Sequence, residues 1–412
     1  MQRRAFEVSP RANVSRLLSE LQVEIGGRLT RLNLPSIDGL TYQLVTKVDA
    51  PVTLAGQDFS IKPCGFLRGL LMRARARWLV KPKDRLVLDQ MVIFARGPRG
   101  KRREFRKALQ SFRNGGLALD RPELSQFPEL LAGWADRPAA PSEASPHPRR
   151  PSPPRFAIVA HVYYPEVWPE FSTILHTVTE PFDLIITTVP DREALSARIV
   201  QDFPDADIRV FENRGRDVRP FLCLLEEGRL DRYAYVCKIH GKKSVDGGRV
   251  ALLGNIWRNR LLFDLLAAPG VIDRILGIFD AFPRAGMVGS QSYRYPSDHF
   301  DLKASWGKNR ETVLAIASRM GIPPELFKLD FFGGTMFWAR PEALSPLREL
   351  RLSAAFAEEQ GKLDGALEHA VERLFSTAAE AAGYRLASVD GLETATQSSL
   401  APAPAEPIIR LV

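Results

Sequence analysis

The clearest pattern in the chain begins at Arg155, where short apolar runs alternate with segments of helical period. Phe156 to Val162 is an almost wholly apolar run of strand length, and Pro165 to Val178 follows with apolar residues at helical spacing. The pair repeats. Phe182 to Val189 predicts a strand and Arg192 to Asp202 a helix; Ile208 to Phe211 predicts a third strand, and Phe221, Leu222, Leu224 and Leu225 place a third helix after Arg216. Tyr233 to Ile239 predicts a fourth strand, Trp257 to Ala267 and Val271 to Phe282 two helices, and Ala285 to Ser290 a short strand. Phe331 to Trp338 reads as one more strand with a glycine pair at its mouth, and Leu363 to Gly383 as one helix led by Asp364. Such alternation implies an α/β fold with a mostly parallel sheet and helices on both faces.

The amino-terminal third has a different rhythm. Val14 to Ile25 has helical spacing, whereas Leu29 to Ile61 alternates like short strands, with Tyr42, Leu44 and Val48 on one face and Gln43 and Lys47 on the other. Phe66 to Val80 predicts a short cationic amphipathic helix, Leu86 to Phe94 a buried strand, and Arg99 to Arg113 a very basic stretch entering another helix. Pro138 to Pro154 is a linker by composition, because proline that dense favours extended chain and builds no core. The expected domains are a smaller basic α+β region over 1–137, the linker over 138–154, the main α/β domain over 155–392 and a mobile tail over 393–412.

Charge sharpens this division. Residues 1–155 hold 28 of the 57 Lys and Arg but only 14 of the 48 Asp and Glu, so the first part carries about +14 and the remainder about −5. The basic segments suit contact with an anionic membrane surface, or else form a solvated face. A nucleic-acid reader is disfavoured, since no reader module and little aromatic interleaving accompany the charge. Three widely spaced cysteines, Cys64, Cys223 and Cys237, fit neither a disulfide framework nor a zinc site and point to a reducing compartment. With no apolar run of spanning length and no apolar signal core, the sequence reads as cytoplasmic.

The candidate chemistry gathers at predicted strand ends, where open α/β sheets bind ligands. Asn213, Arg214, Gly215, Arg216 and Asp217 form a glycine-centred polar turn that opens a helix, a place where backbone N–H groups and arginines meet anions. A turn whose arginines and aspartate pair with one another is the alternative. Lys238 and His240 share one face of a strand end, and Gly241, Lys242 and Lys243 follow at once. These cations suit the charge on a departing diphosphate, with Asp217 orienting the arginines. Asp364, at the expected helix start, is either a plain cap or a base for an acceptor hydroxyl, with Glu368 and His369 one turn on to orient it. Gly333, Gly334 and Thr335 either permit a close approach of ligand or backbone or form a packing site in a strand, and His161, near the end of the first strand, lies either near the base of a nucleotide or in the core.

Together, Asn-Arg-Gly-Arg-Asp-Val-Arg-Pro-Phe-Leu (213–222), Lys-Ile-His-Gly-Lys-Lys-Ser (238–244), Gly-Gly-Thr-Met-Phe-Trp (333–338) and Leu-Asp-Gly-Ala-Leu-Glu-His-Ala-Val-Glu-Arg-Leu-Phe (363–375) resemble the rhamnan synthesis protein F family of bacterial cell-surface polysaccharide assembly. The resemblance covers roughly residues 155–390. It implies a glycosyltransferase with a GT-A-like (Rossmann-like) fold, taking a deoxyhexose, with rhamnose from dTDP-rhamnose the favoured donor, to a glycan or lipid-linked glycan acceptor with inversion. Asp364 then stands where many inverting members of that fold keep their base. Lys238-Ile239-His240 stands where such folds usually carry Asp-x-Asp, so the sequence supplies no ligand set for Mg²⁺ or Mn²⁺ there. A non-catalytic nucleotide- or glycan-binding scaffold subunit is the alternative.

Overall fold

In the computed structural model, the structure describes residues 4–11, 18–35, 37–81, 84–87, 90–103, 105–106, 154–241, 251–297, 302–362 and 364–394. Compact units are formed by residues 1–133 with 244–259 and by residues 134–243 with 260–412. The stretches 107–153 and 395–412, which include nearly all of the expected linker and tail, lie outside the described residues.

The first unit is built on antiparallel strands. β1 (Ala5–Pro10), β4 (Thr41–Thr46), β6 (Phe59–Pro63), β7 (Arg85–Val87) and β8 (Met91–Arg96) form a five-stranded sheet in the order β6-β1-β4-β8-β7. A separate three-stranded sheet has the order β3-β2-β5, from β2 (Leu18–Ile25), β3 (Arg28–Pro35) and β5 (Val52–Ala55). The helix expected over 14–25 is therefore a strand where it is described. Leu21, Val23 and Ile25 are buried in strict alternation, and pairing along the whole hairpin with β3 outweighs the helical spacing. The single strand expected over 86–94 is instead the hairpin β7–β8, for its centre holds the polar pair Asp89-Gln90. Gln43, on the face opposite Tyr42 and Leu44, is also buried and donates to Glu7 at 3.2 Å. α1 (Phe66–Ala74) continues through a widened turn at Arg75–Leu79, and Met72 and Ala76 pack on Ala5, Val45 and Phe94.

The second unit holds the seven-stranded sheet β11-β10-β9-β12-β16-β13-β17. Its strands are β9 (Phe156–His161), β10 (Phe182–Thr188), β11 (Asp207–Val210), β12 (Tyr235–His240), β13 (Ala285–Ser290), β16 (Phe337–Ala339) and β17 (Arg385–Val389). β9, β10, β11 and β12 are parallel neighbours; β16 runs antiparallel to both β12 and β13, and β13 pairs in parallel with β17. Every residue of β9 is buried, as a central strand covered on both faces requires. The helices α2 (Trp168–Leu175), α3 (Glu193–Asp202), α4 (Val218–Glu226) and α5 (Val271–Ala281) fall where the apolar period predicts them. α4 buries Val218, Phe221, Leu222, Leu224 and Leu225 in one core with Phe337 and Phe375.

Two elements divide where the sequence predicts continuity. Phe331 to Trp338 is not one strand: β15 (Phe331–Phe332) pairs with β14 (Arg294–Tyr295), and β16 joins the main sheet. Between them Gly334 and Thr335 both take positive φ, +90° and +51°, which no strand accommodates. Leu363 to Gly383 is likewise two helices, α7 (Leu367–Glu372) and α8 (Leu374–Ala381), with α6 (Arg310–Arg319) earlier in the chain. Asp364 lies ahead of α7, whose N-cap is Ala366, so it does not cap that helix.

Candidate functional site

β9 pairs with β10 on one side and β12 on the other, so the connections diverge between β9 and β12. Such a switch point leaves a crevice outside the carboxyl ends of the strands. His161 ends β9, His240 ends β12, and the two are register partners. The turn from Asn213 to Asp217 leads into α4, and Gly334-Thr335 enters β16 beside β12.

These segments converge on Asp217. Its carboxylate accepts from the Lys238 ammonium at 2.5 Å and from the Thr335 hydroxyl at 2.5 Å, and His240 Nδ1 lies 3.7 Å away. Lys238, only 1% exposed, also donates to the Thr335 carbonyl at 2.9 Å. Burial alone would raise the Asp217 carboxyl, but His240, Lys238 and the Thr335 hydroxyl together hold it far below the ordinary carboxylate range. Burial lowers the Lys238 ammonium, and Asp217 offsets part of that shift. His240 Nε2 lies 2.7 Å from the Gly334 carbonyl, which can only accept, so Nε2 carries the proton. His161 is buried with Nδ1 2.9 Å from the Thr187 hydroxyl; burial pushes its imidazole down to about 4, so it is neutral at pH 7.

The neighbouring turn is shaped by packing. Gly215 and Arg216 both have positive φ, +60° and +53°, and a Cβ at Gly215 would penetrate the Phe356 ring. This conformation carries Arg216 to Glu359 at 3.0 Å, to the Lys362 carbonyl at 2.5 Å and to His369 Nε2 at 3.4 Å. Arg214 pairs with Glu212 at 3.1 Å and Glu358 at 3.4 Å, and the Asn213 carbonyl accepts from Glu359 N–H at 3.4 Å. Asp217 thus faces Lys238 and His240 and does not orient the arginines; glutamates from 358–359 do.

Asp364 is also engaged. One oxygen accepts from Lys308 N–H at 2.8 Å, the other from the Asn309 amide at 2.5 Å. Burial alone would raise its carboxyl, but the bonds from Asn309, Lys308 N–H and Gly365 N–H outweigh it and leave it below the usual range. His369 accepts from Ala366 N–H at 3.2 Å; burial first, then Arg216, lowers its imidazole. Its bonding is to Arg216 and Ala366, while Asp364 is oriented from the loop before α6.

The structure therefore brings His161, Asn213, Arg214, Gly215, Arg216, Asp217, Lys238, His240, Gly334, Thr335 and His369 into one connected set. Gly333 joins it through the turn, its N–H donating to the Tyr293 carbonyl at 2.8 Å. Lys242 and Lys243 lie outside the described residues. Sequence reasoning missed Glu359, which neutralises Arg216, and Glu372, which accepts from Gly334 N–H at 2.6 Å. The one available signal was Glu368 and Glu372, a helical turn apart. In charge, the described site departs from the cationic expectation, since each of Arg214, Arg216 and Lys238 is matched by a carboxylate.

The fold and site define an α/β protein with a buried polar cluster at the switch point of a mostly parallel sheet. The chain belongs to the rhamnan synthesis protein F family, whose model matches residues 143–384. It is also 32% identical over 243 residues to the uncharacterised protein WxcX of Xanthomonas campestris pv. campestris, in each of two strains. That similarity covers 58% of this chain but 33% of the relative, so the matched region spans about a third of the curated proteins' length.

Proposed function

We propose that residues 155–392 form a GT-A-like glycosyltransferase of bacterial cell-surface polysaccharide synthesis, acting in the cytoplasm. It moves a deoxyhexose, rhamnose from dTDP-rhamnose, onto a hydroxyl of a glycan or lipid-linked glycan acceptor with inversion. The observation that carries this reading is the switch point between β9 and β12, with His161 and His240 in register at the strand ends, in a chain of a rhamnan-synthesis family.

The nucleoside diphosphate would lie outside β9 and β12, beside the turn from Gly215 to Asp217. Arg214, Arg216 and Lys238 are already matched by carboxylates, and the sequence offers two further cations, Lys242 and Lys243, directly after Gly241 as candidates to meet the diphosphate. Asp364 is the proposed base. It is ionised at neutral pH and fixed by Asn309 and Lys308. The acceptor oxygen bonds to the anomeric carbon, the bond from that carbon to the diphosphate oxygen breaks, its electron pair leaves with the diphosphate, and Asp364 takes the hydroxyl proton. Among the described residues no three His, Cys, Asp or Glu converge as metal ligands, and no step is routed through a metal.

The test is calorimetric titration of the full chain with dTDP, UDP and GDP, with Mg²⁺ or with EDTA, followed by turnover assays of Asp364→Asn. Binding of dTDP that ignores EDTA is expected. The variant should lose about a hundredfold or more in turnover while donor affinity stays within about twofold. Full activity in Asp364→Asn would remove that residue from the chemistry.

A non-catalytic nucleotide- or glycan-binding subunit is the second reading. It is favoured by the two hydrogen bonds that already engage Asp364 in holding the loop at 307–309. Donor binding with no turnover on any acceptor would select it.

A further inference from the structure

The segment from Phe66 to Leu79 in the first unit lies outside the family match and has no part in the proposed transfer. Gly69, Met72 and Ala76 face inward. On the opposite side Leu67, Leu71, Trp78 and Leu79 are 76, 68, 74 and 73% exposed, with Phe66 and Leu70 beside them. On a helical wheel Leu67, Leu70, Leu71 and Trp78 fall in one stripe about 100° wide, with Phe66 and Leu79 beyond its two edges. Arg68 and Arg75 lie along one border of it, Arg73 and Arg77 along the other. Large apolar side chains left in water on a short helix forgo the stabilisation that burial would bring. A merely solvated basic face would carry polar residues there instead.

We propose that this segment is a monotopic docking surface for an anionic phospholipid bilayer. Its axis would lie in the plane of the membrane, with the stripe from Leu67 to Trp78 among the acyl chains and Arg75 and Arg77 at the phosphates, while Arg68 is held by Glu7 at 2.8 Å. Charge complementarity selects this occupant. Residues 66–85 hold seven Lys and Arg against one acid, Asp84, and Arg77 stacks over Trp78, so an aromatic ring and a cation sit together where chains meet headgroups. A cavity of about 580 Å³ opens beside the helix, lined by Arg4, Phe6, Asp49, Cys64, Phe66 and Arg73 among others. The docking stands apart from the transfer reading, since a chain without transferase activity would bind membrane equally well.

The experiment is flotation of the full chain with vesicles of phosphatidylcholine alone or mixed with phosphatidylglycerol, at about 0.15 M salt. The chain should float with the mixed vesicles only. Leu67→Asp combined with Leu71→Asp should lower the bound fraction about tenfold, and Arg75→Glu with Arg77→Glu should also lower it, whereas Leu326→Asp, at an exposed apolar site of the second unit, should not. Quenching by brominated lipid should disappear in Trp78→Phe. These positions are exposed, so the variants should melt like the parent, and that is checked by circular dichroism. Failure to float with anionic vesicles would overturn the proposal, as would floating that ignores the Leu67 and Leu71 changes. A dimer in solution that those same changes convert to monomer, with no vesicle binding, would assign the face to a second copy of the chain instead.

Discussion

At the scale of single residues, Asp217 and Lys238 illustrate how burial redefines a charge. Lys238 and His240 share a face of β12, as their spacing predicts, but α4 and α8 cover that face, and the ammonium sits 5.6 Å from the Phe221 ring and 6.0 Å from that of Phe375. A cation in such surroundings persists only with a carboxylate and further acceptors at hand, which Asp217 and Thr335 provide. Asp217→Asn should cost about 3–5 kcal/mol, because it strands the Lys238 charge in the core. Adding Lys238→Met should recover part of that loss, and urea denaturation of the three proteins measures both. A loss under about 1 kcal/mol would mean that the pair does not govern this core. The residue types were legible in the sequence. Which of them faced solvent was not, since period-2 spacing fixes a shared face but not what covers it.

At the scale of elements, the turn from Asn213 to Asp217 owes its shape to a contact across the fold. Its polar composition announces a turn before a helix, and α4 begins where predicted. The Phe356 ring against Gly215 and the glutamates 358–359 against the arginines come from about 140 residues away, and no local pattern reveals them. Gly215→Ala should destabilise the fold by about 2 kcal/mol or more, from the left-handed backbone and the blocked ring together. Gly321→Ala meets only the first problem: its φ is +85° and nothing lies within 4 Å of the new Cβ. It should cost about 1 kcal/mol. Equal melting temperatures for the two variants would show that the Phe356 contact is unimportant. The divided strand at 331–339 and divided helix at 364–381 have a similar cause. Apolar composition runs through both breaks, but positive φ at Gly334 and Thr335 redirects the first, while Arg373, between α7 and α8, turns to the Ser305 carbonyl at 2.8 Å.

At the scale of the whole molecule, two buried groups should shape stability against pH in opposite directions. The His161 imidazole lies at about 4 in the fold against an ordinary 6.5, so as pH falls through 6.5 the unfolded chain takes up the proton first and stability is lost down to about 4. Asp264 is buried beside Arg260 at 2.9 Å, near Ser290 and Asp390 at the ends of β13 and β17. Burial pushes its carboxyl up to about 6 from 3.8, so between those values the folded chain holds the extra proton and this group favours folding as pH falls. Their windows overlap, so the His161 contribution is read as a difference. Between pH 6.5 and 4 the parent should lose about 2–3 kcal/mol relative to His161→Gln, measured by denaturant unfolding at each pH. Parallel curves would show that His161 is not held neutral by the fold.

The sequence by itself determined the α/β alternation after Arg155, the strand and helix positions from Phe156 to Ser290, the polar ends of β9 and β12, and the family motifs, because these depend on period, turn chemistry and order along the chain. Only the tertiary structure decided the reversal of β16, the inward turn of Lys238, the pairing of Arg214 and Arg216 with Glu358 and Glu359, and the tether of Asp364 to Asn309. Those outcomes depend on which distant segment arrives to cover a face or accept a hydrogen bond. That is a matter of packing a whole sheet and its helices, and local pattern carries no record of it.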